Sequence, residues 1–260
     1  MLKILKYSFF DLIRSRWSLY YCAFYLLLTF SLFWLNTDIS KVIITLMNIV
    51  LFLVPLVATV FGVMYYYNSR EFVELLLAQP IKRTDIFIGQ YLGIASSLSL
   101  SLLFGIGLPF ILYGVFASAE IWDYFTLLLT GLFLSMIFSG IAFLVALKFE
   151  NKIKGFGTAI FIWLFFAIIY DGLFLLILSL FNEYPLEKVA LGFSIANPID
   201  LSRILILLKL DISALMGFAG AVFQNLLGSM YGLIAAILML SLWVWIPVLL
   251  IKRTAVKKDF

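Results

Sequence analysis

Histidine is absent from this chain of 260 residues, and cysteine occurs only once, at Cys22. Without histidine, the chain cannot contain a zinc motif of the His-Glu-x-x-His type or a Ser-His relay. A single cysteine excludes an intramolecular disulfide, and its place in an apolar stretch is typical of a buried structural thiol. We therefore assign no catalytic residue to this sequence.

Charged residues make up only 12% of the chain, whereas 65% of its residues are hydrophobic and form runs long enough to cross a bilayer. The lysines and arginines flank these runs and do not form one basic face. The net charge of +4 therefore indicates membrane topology and argues against nucleic-acid binding. Because the runs take up most of the chain, no room is left for a separate soluble catalytic domain.

The sequence also lacks a Gly-x-x-x-x-Gly-Lys-[Ser/Thr] motif, so ATP has to be bound by another chain. Its methionines and its cysteine are soft ligands that suit copper, but they are scattered through apolar segments without clustered spacing. Methionines in that arrangement usually serve packing. We therefore expect no metal site and no cofactor on this chain.

The apolar runs predict an all-α integral membrane protein whose single domain, residues 1–260, has six transmembrane helices. The spans are placed at residues 17–35, 42–67, 86–116, 124–147, 156–181 and 227–251. Residues 1–16 have apolar side chains at helical spacing, which predicts an amphipathic interfacial helix on the membrane. Residues 182–226 carry too many charges for a bare span and predict helices in the outer interface, with Asp200 as a helix N-cap.

Lysine and arginine are concentrated on one side of the spans. Most of them lie at the N-terminus, in the 68–85 segment, in the 148–154 loop and in the C-terminal tail. Short basic loops stay in the cytoplasm, so we expect both termini on the cytoplasmic side of a bacterial inner membrane.

The polar segment at residues 68–85, here called the coupling segment, predicts a short amphipathic helix between spans two and three. Two acids lie near its start, where the helix dipole favours carboxylates, and a proline stops it. Such a helix can fit a groove on a partner and convert the partner's motion into motion of the spans, although it is also compatible with an ordinary interfacial loop helix. The coupling candidates are Glu71, Phe72, Glu74, Leu75, Leu76, Pro80, Lys82 and Arg83.

The run from Glu74 to Arg83, followed by Gly89-Gln90-Tyr91-Leu92-Gly93, resembles the first cytosolic loop of ABC-2-type permeases, the membrane subunits of ATP-driven transporters. The amphipathic N-terminus, the six spans and the outer helices match that family over essentially the whole chain. The sequence departs from it at Phe72-Val73, where many members have Gly-Thr, and at Gln90, where Lys is common. The resemblance implies a cytosolic ABC ATPase that carries ATP and Mg²⁺.

Two further stretches are similar to the permease of the nitrous oxide reductase maturation system. They are Tyr170–Leu173 in span five and Asn197–Arg203, the latter followed by Leu215-Met216-Gly217. This similarity implies that the chain forms a homodimer in membrane lipid and that a periplasmic β-helical partner binds on the outer face. Together with the ATPase, they are expected to support copper-site assembly in the reductase. The candidates for contact with that outer partner are Asn197, Pro198, Asp200 and Arg203.

Asp171 is the only acidic or basic residue within the six predicted spans. A carboxylate near mid-bilayer costs about 3 kcal/mol on insertion scales, so it has to pair, protonate or face water. No basic residue is expected at similar depth, which favours a pathway, dimer-interface or coupling role over a carboxyl simply hydrogen-bonded between helices. An intramembrane aspartyl protease would need a second membrane aspartate, and the spans have none.

These observations leave alternatives open. An ABC-2 exporter of a lipid, glycan or drug-like substrate would need a continuous groove or cavity at the dimer interface. A membrane-embedded enzyme or passive channel would instead keep its activity without an ATPase. Whether copper, a sulfur species or no solute crosses the membrane is not determined by the sequence.

Overall fold

The computed structural model describes residues 1–36, 38–181, 187–210 and 230–257, and within these ranges the chain is helical and has no strand. The helices are α1 (Leu2–Ile13), α2 (Arg16–Leu35), α3 (Ile39–Asn68), α4 (Arg70–Leu77), α5 (Arg83–Leu112), α6 (Ile121–Lys148), α7 (Lys152–Leu164), α8 (Tyr170–Leu180), α9 (Glu187–Ile195), α10 (Pro198–Lys209) and α11 (Met230–Lys257). A π-helical segment, Phe165–Ile169, joins α7 to α8.

Six helical spans in the described residues are long and apolar enough to cross a membrane, which confirms the predicted all-α class with six spans. They are formed by α2, α3, α5, α6, the α7–α8 unit and α11. The α7–α8 unit is called span five below. Between spans five and six, α9 and α10 form a bent pair whose axes meet at 109°.

The core of the bundle lies where α3, α5 and α6 pack together, and close backbone approach makes this packing possible. A Cβ on Gly62 of α3 would lie 2.9 Å from the Ala142 Cβ of α6. Similarly, a Cβ on Gly93 of α5 would lie 2.6 Å from the Ser8 Cβ of α1. Small residues at helix contacts are typical of membrane proteins, where packing replaces the hydrophobic effect between helices.

The N-terminal helix α1 lies along α5 and buries one side of its surface there. Ile4, Ser8 and Leu12 are the buried positions, spaced four residues apart as expected for one helical face. The opposite side is exposed and carries the charged residues Lys3 and Lys6. The predicted amphipathic helix is therefore present, and its contact with the membrane surface stays a prediction.

The structure corrects two predictions at helix ends. Span three was expected to reach residue 116, but α5 ends at Leu112, and Gly114 follows with φ +78°, a left-handed conformation that favours glycine. Asp200 was expected to cap a helix, but the cap is Asn197, whose side-chain oxygen accepts a hydrogen bond from the Ile199 N–H at 3.0 Å. Asn197 takes this position because Pro198 sets the first turn of α10.

Burial differs sharply between the spans. In the most apolar part of span five, only 6% of the residues are buried, whereas 72% are buried in α6. Span five therefore lies at the edge of the bundle. By contrast, α10 is buried along most of its length, so the bent pair reaches into the protein interior. Leu215–Gly217 and the rest of 211–229 lie outside the described residues.

Candidate functional site

The coupling segment forms the helix α4, and the structure divides its predicted apolar residues between two sides. Phe72 points toward α1, where its ring stacks on Tyr7 with centroids 4.6 Å apart. Leu76 is half-buried against the core, and Val73 is buried. Leu75 is 68% exposed and is thus the large apolar side chain that α4 displays.

The charged residues of the coupling segment lie on its exposed side. Arg70 and Glu74 form an ion pair one helical turn apart, with 3.2 Å between Nε and Oε1. Exposed pairs of this kind add little stability, so both side chains remain adaptable. Glu71 lies in the first turn of α4 and is exposed, as is Lys82 beyond the helix.

A buried glutamine links the start of α4 to span three through a hydrogen bond. In the sequence, this residue stands out only as a departure from the family pattern. Gln90 of α5 is fully buried and donates a hydrogen bond from Nε2 to the Ser69 Oγ at 3.1 Å. The Ser69 hydroxyl in turn donates to the Tyr66 carbonyl oxygen at 3.3 Å. Because Ser69 occupies the N-cap position of α4, this chain of bonds ties α4 to two spans.

Asp171 has a basic partner, contrary to the expectation from the sequence. The Arg203 Nη1 lies 3.0 Å from the Asp171 Oδ2 and 3.0 Å from the Asp200 Oδ1. Arg203 reaches Asp171 because α10, which is bent by 109° from α9, packs against the π-helical segment of span five. No local sequence pattern indicates this pairing, because Asp171 and Arg203 are 32 residues apart and on different helices.

Asn197 connects the same group of side chains to the backbone of span five. Its Nδ2 donates hydrogen bonds to the Asp200 Oδ2 at 3.0 Å and to the Phe166 carbonyl oxygen at 2.9 Å. Phe166 lies in the π-helical segment, where a wide turn shifts the helical hydrogen bonds by one residue and leaves a carbonyl for an outside donor.

Asp171, Asn197, Asp200 and Arg203 form one hydrogen-bonded unit, called the Arg203 cluster below. The Tyr170 hydroxyl reinforces it by donating to the Phe193 carbonyl oxygen of α9 at 2.6 Å. The cluster thus joins span five to both helices of the bent pair.

The electrostatics of the Arg203 cluster are unbalanced. Two carboxyl groups share one guanidinium, so the cluster carries a net charge of −1 when both are ionised. The Asp200 side chain is only 10% exposed, whereas Asp171 and Arg203 are 30% and 36% exposed on the open side of span five. Contact of these charged groups with lipid would cost free energy, so we expect water or polar protein groups to cover them.

The structure brings Asp171 together with three of the four residues predicted to contact an outer partner, and the fourth, Pro198, lies next to Asn197 in the first turn of α10. Of these, Asn197, Pro198 and Asp200 are buried, and only the Arg203 side chain is partly accessible. Their contact with a partner remains a prediction. Within the described ranges, no group of three or more His, Cys, Asp or Glu side chains is placed to hold a metal ion.

Residues 35–252 match the profile of the ABC-2 family of transporter proteins, which covers most of the chain, including α4 and the Arg203 cluster. The chain belongs to the ABC-2 family. This ABC-2 permease is 26% identical over 262 residues to a Stutzerimonas stutzeri protein described as probable ABC transporter permease protein NosY, an alignment that covers 95% of the chain and 93% of the relative.

A Pseudomonas aeruginosa protein with the same description is 25% identical to this ABC-2 permease over 223 residues, or 80% of the chain and 81% of the relative. Both relatives are named as permeases. The family and these relatives therefore confirm that the chain is a membrane permease subunit of an ABC transporter and is similar to NosY.

Proposed function

We propose that this permease couples ATP hydrolysis by a separate cytosolic ABC ATPase to movement across the bacterial inner membrane, through the coupling segment. The observation that carries the proposal is α4, which displays Leu75 beside adaptable charges while Gln90 and Phe72 hold it to the bundle. A docking helix needs both an accessible apolar anchor and a rigid attachment. Both termini are then cytoplasmic, and ATP and Mg²⁺ are bound by the ATPase.

We further propose that two copies of the chain form a homodimer across span five. The support is the exposed face of that span, where Asp171 and Arg203 are partly accessible among exposed leucines such as Leu175 and Leu176. Because lipid cannot hydrate a charged group, a second copy or a polar cavity between the copies is the favoured cover.

The likeness to NosY supports a more specific proposal, in which the dimer serves copper-site maturation of nitrous oxide reductase together with a periplasmic β-helical protein. In this scheme, the Arg203 cluster links span five to the bent pair at the periplasmic side. Displacement of span five would then shift α9 and α10 together, and the partner would respond to that shift. The transmitted signal requires no solute path through the bundle.

The decisive experiment is to disturb α4 at its exposed anchor. Leu75→Asp should weaken binding of the cognate ATPase roughly tenfold, because the anchor would lose the burial of one leucine. Binding would be measured with the purified permease in nanodiscs, along with the ATPase rate of the complex. Dimer assembly and thermal stability should remain unchanged because Leu75 has little contact with the bundle.

A matched control is Ile153→Asp, which changes a side chain that is 82% exposed in the first turn of α7, at the start of span five. It should leave ATPase affinity within about twofold of the unchanged protein, since surface substitutions away from an interface have small effects. Equal ATPase binding by the Leu75→Asp variant would show that α4 is not the dock.

A further inference from the structure

A tyrosine hydroxyl joins the base of the coupling helix to the start of span five. Tyr67, in the last turn of α3, donates to the Phe149 carbonyl oxygen at 2.8 Å and lies 3.3 Å from the Asn151 carbonyl oxygen. These carbonyls belong to the loop between α6 and α7. The contact spans more than 80 residues of sequence and connects the end of α3 to the loop between α6 and α7.

The loop that receives Tyr67 also begins span five. Asn151 is the N-cap of α7, and its Oδ1 accepts hydrogen bonds from the Ile153 N–H at 2.9 Å and the Lys154 N–H at 3.3 Å. The residue whose carbonyl faces the Tyr67 hydroxyl therefore also fixes the first turn of α7. A displacement of Tyr67 acts directly on the end of this span.

The joint is closely fitted around Gly155. A Cβ built on Gly155 would collide with the Tyr67 hydroxyl and would lie 3.0 Å from the Tyr67 Cζ, whereas a Cβ on Gly157 meets no atom within 4 Å. Gly155 thus lets the tyrosine ring lie against the first turn of α7. Gly157, two residues further on the same helix, is under no such restriction.

The other contacts of span five make this joint mechanically important. Most of the span's apolar part is unburied, and its far half is held by the Arg203 cluster and the Tyr170–Phe193 hydrogen bond. Tyr67 is followed directly by Asn68 and Ser69, which lead into α4. Span five is thus linked at one end to the base of the coupling helix and at the other to the bent pair, and in between α7 packs on α3 and α6.

We propose that Tyr67 is a positioning residue that transmits displacement of α4 to span five through the Phe149–Asn151 loop. This inference rests on the proposed docking of the ATPase at α4. The Tyr67 hydroxyl transmits the displacement, and Gly155 leaves the space in which the tyrosine ring lies. The π-helical segment then lies between the end of span five that Tyr67 displaces and the end that moves the bent pair.

The test compares Tyr67→Phe with Tyr66→Phe in the full dimer with its ATPase in nanodiscs. A Cys22→Ser, Leu180→Cys background places an environment-sensitive fluorophore at the exposed far end of α8. ATP should change its emission in the reference protein, and Tyr67→Phe should reduce that change roughly fivefold, as expected for the loss of one net hydrogen bond. Tyr66→Phe should retain the change, because the Tyr66 hydroxyl makes no hydrogen bond to any described residue.

A second set of variants separates transmission from general damage. Gly155→Ala should reduce the ATP-dependent signal as Tyr67→Phe does, and the double variant should lose no more than either single one, because both act on one joint. Gly157→Ala should keep the full signal. ATPase affinity should be unchanged in Tyr67→Phe, and its melting temperature should fall by no more than about 2–4 °C, the effect of one hydrogen bond. A merely structural tyrosine would show that small loss of stability with the full ATP-dependent signal.

The outcomes distinguish the two levels of the proposal. If the ATPase binds and the reference protein responds to ATP, a full response in Tyr67→Phe, or additive losses in the double variant, overturns the inference about Tyr67 alone. If the ATPase fails to bind the unchanged permease, the proposed function is overturned together with this inference.

Discussion

At the scale of single residues, the most consequential feature is the sharing of one arginine by two carboxyl groups. Arg203 lies 3.0 Å from both Asp171 and Asp200, and Asn197 holds the latter from its other side. Removing one member of a paired group leaves the remaining charges uncompensated, and the cost depends on which member is removed. The cluster therefore predicts opposite consequences for its acidic and basic members.

We expect Asp171→Asn and Asp171→Leu to impair function while expression stays normal or improves, with Leu the more harmful. Either change leaves Arg203 paired one-to-one with Asp200, so stability should not fall. Arg203→Met should instead lower the free energy of unfolding by about 3 kcal/mol because two carboxyl groups lose their partner. Melting temperatures in detergent and a maturation or transport assay would measure both effects.

Arg203→Lys serves as the control, since it keeps the charge and should recover much of the stability that Arg203→Met loses. An Asp171→Leu variant that is both more stable and fully active would remove Asp171 from the functional residues. It would leave α4 as the site supported by the structure.

At the scale of elements, glycines decide which helices can approach one another. α1 rests on α5 because Gly93 offers no side chain, and the nearest atom to a Cβ there would be the Ser8 Cβ at 2.6 Å. Rigid backbone and a short side chain face this glycine, so the clash cannot be relieved by a rotamer change. The N-terminal helix and the Tyr7–Phe72 stack that braces α4 both depend on this approach.

Gly93→Ala is expected to displace α1 and to lower the free energy of unfolding by about 1–3 kcal/mol, as overpacking does elsewhere. Because α1 carries Tyr7, ATPase binding at α4 should weaken as well. Thermal unfolding and ATPase affinity measure the two effects. Gly172→Ala is the matched control, since its Cβ would meet no atom within 4 Å; equal losses in both variants would contradict the packing argument.

At the scale of the whole molecule, the orientation of the bundle determines what each site faces. The coupling segment and the Tyr67 joint lie at one end of the spans, and the bent pair lies beyond the far half of span five. In the proposed orientation, with cytoplasmic termini, the first end would meet the ATPase and the second would meet the periplasm. The mechanical route proposed for this permease exists only in that orientation.

Single cysteines in a Cys22→Ser background test the orientation. Val189→Cys lies at an exposed position of α9 and should react with a membrane-impermeant maleimide added from outside the cell. Ile153→Cys, also exposed, should react only after the membrane is opened. Asp200 is too buried to report on either side. The reverse pattern of labelling would overturn the topology and the assignment of α4 to the cytosol.

The sequence by itself determined the properties that depend on contiguous residues. A span needs about 20 apolar residues in a row, so the six spans and the all-α class follow from local composition. The coupling segment was found in the same way, and its motif indicated the family that the profile match over residues 35–252 confirms. Span ends were less exact, as at Leu112, because caps and turns depend on a few side chains.

Only the tertiary structure decided which distant residues meet. The 109° bend of the α9–α10 pair brings Arg203 to Asp171, and no local pattern encodes that meeting. The same holds for the stacking of the Phe72 ring on Tyr7 of α1 and for the hydrogen bond from the Tyr67 hydroxyl to the Phe149 carbonyl oxygen. Contact with lipid requires apolar residues on every span alike. Which helices pack together depends instead on shape, small residues and single hydrogen bonds contributed by separate helices.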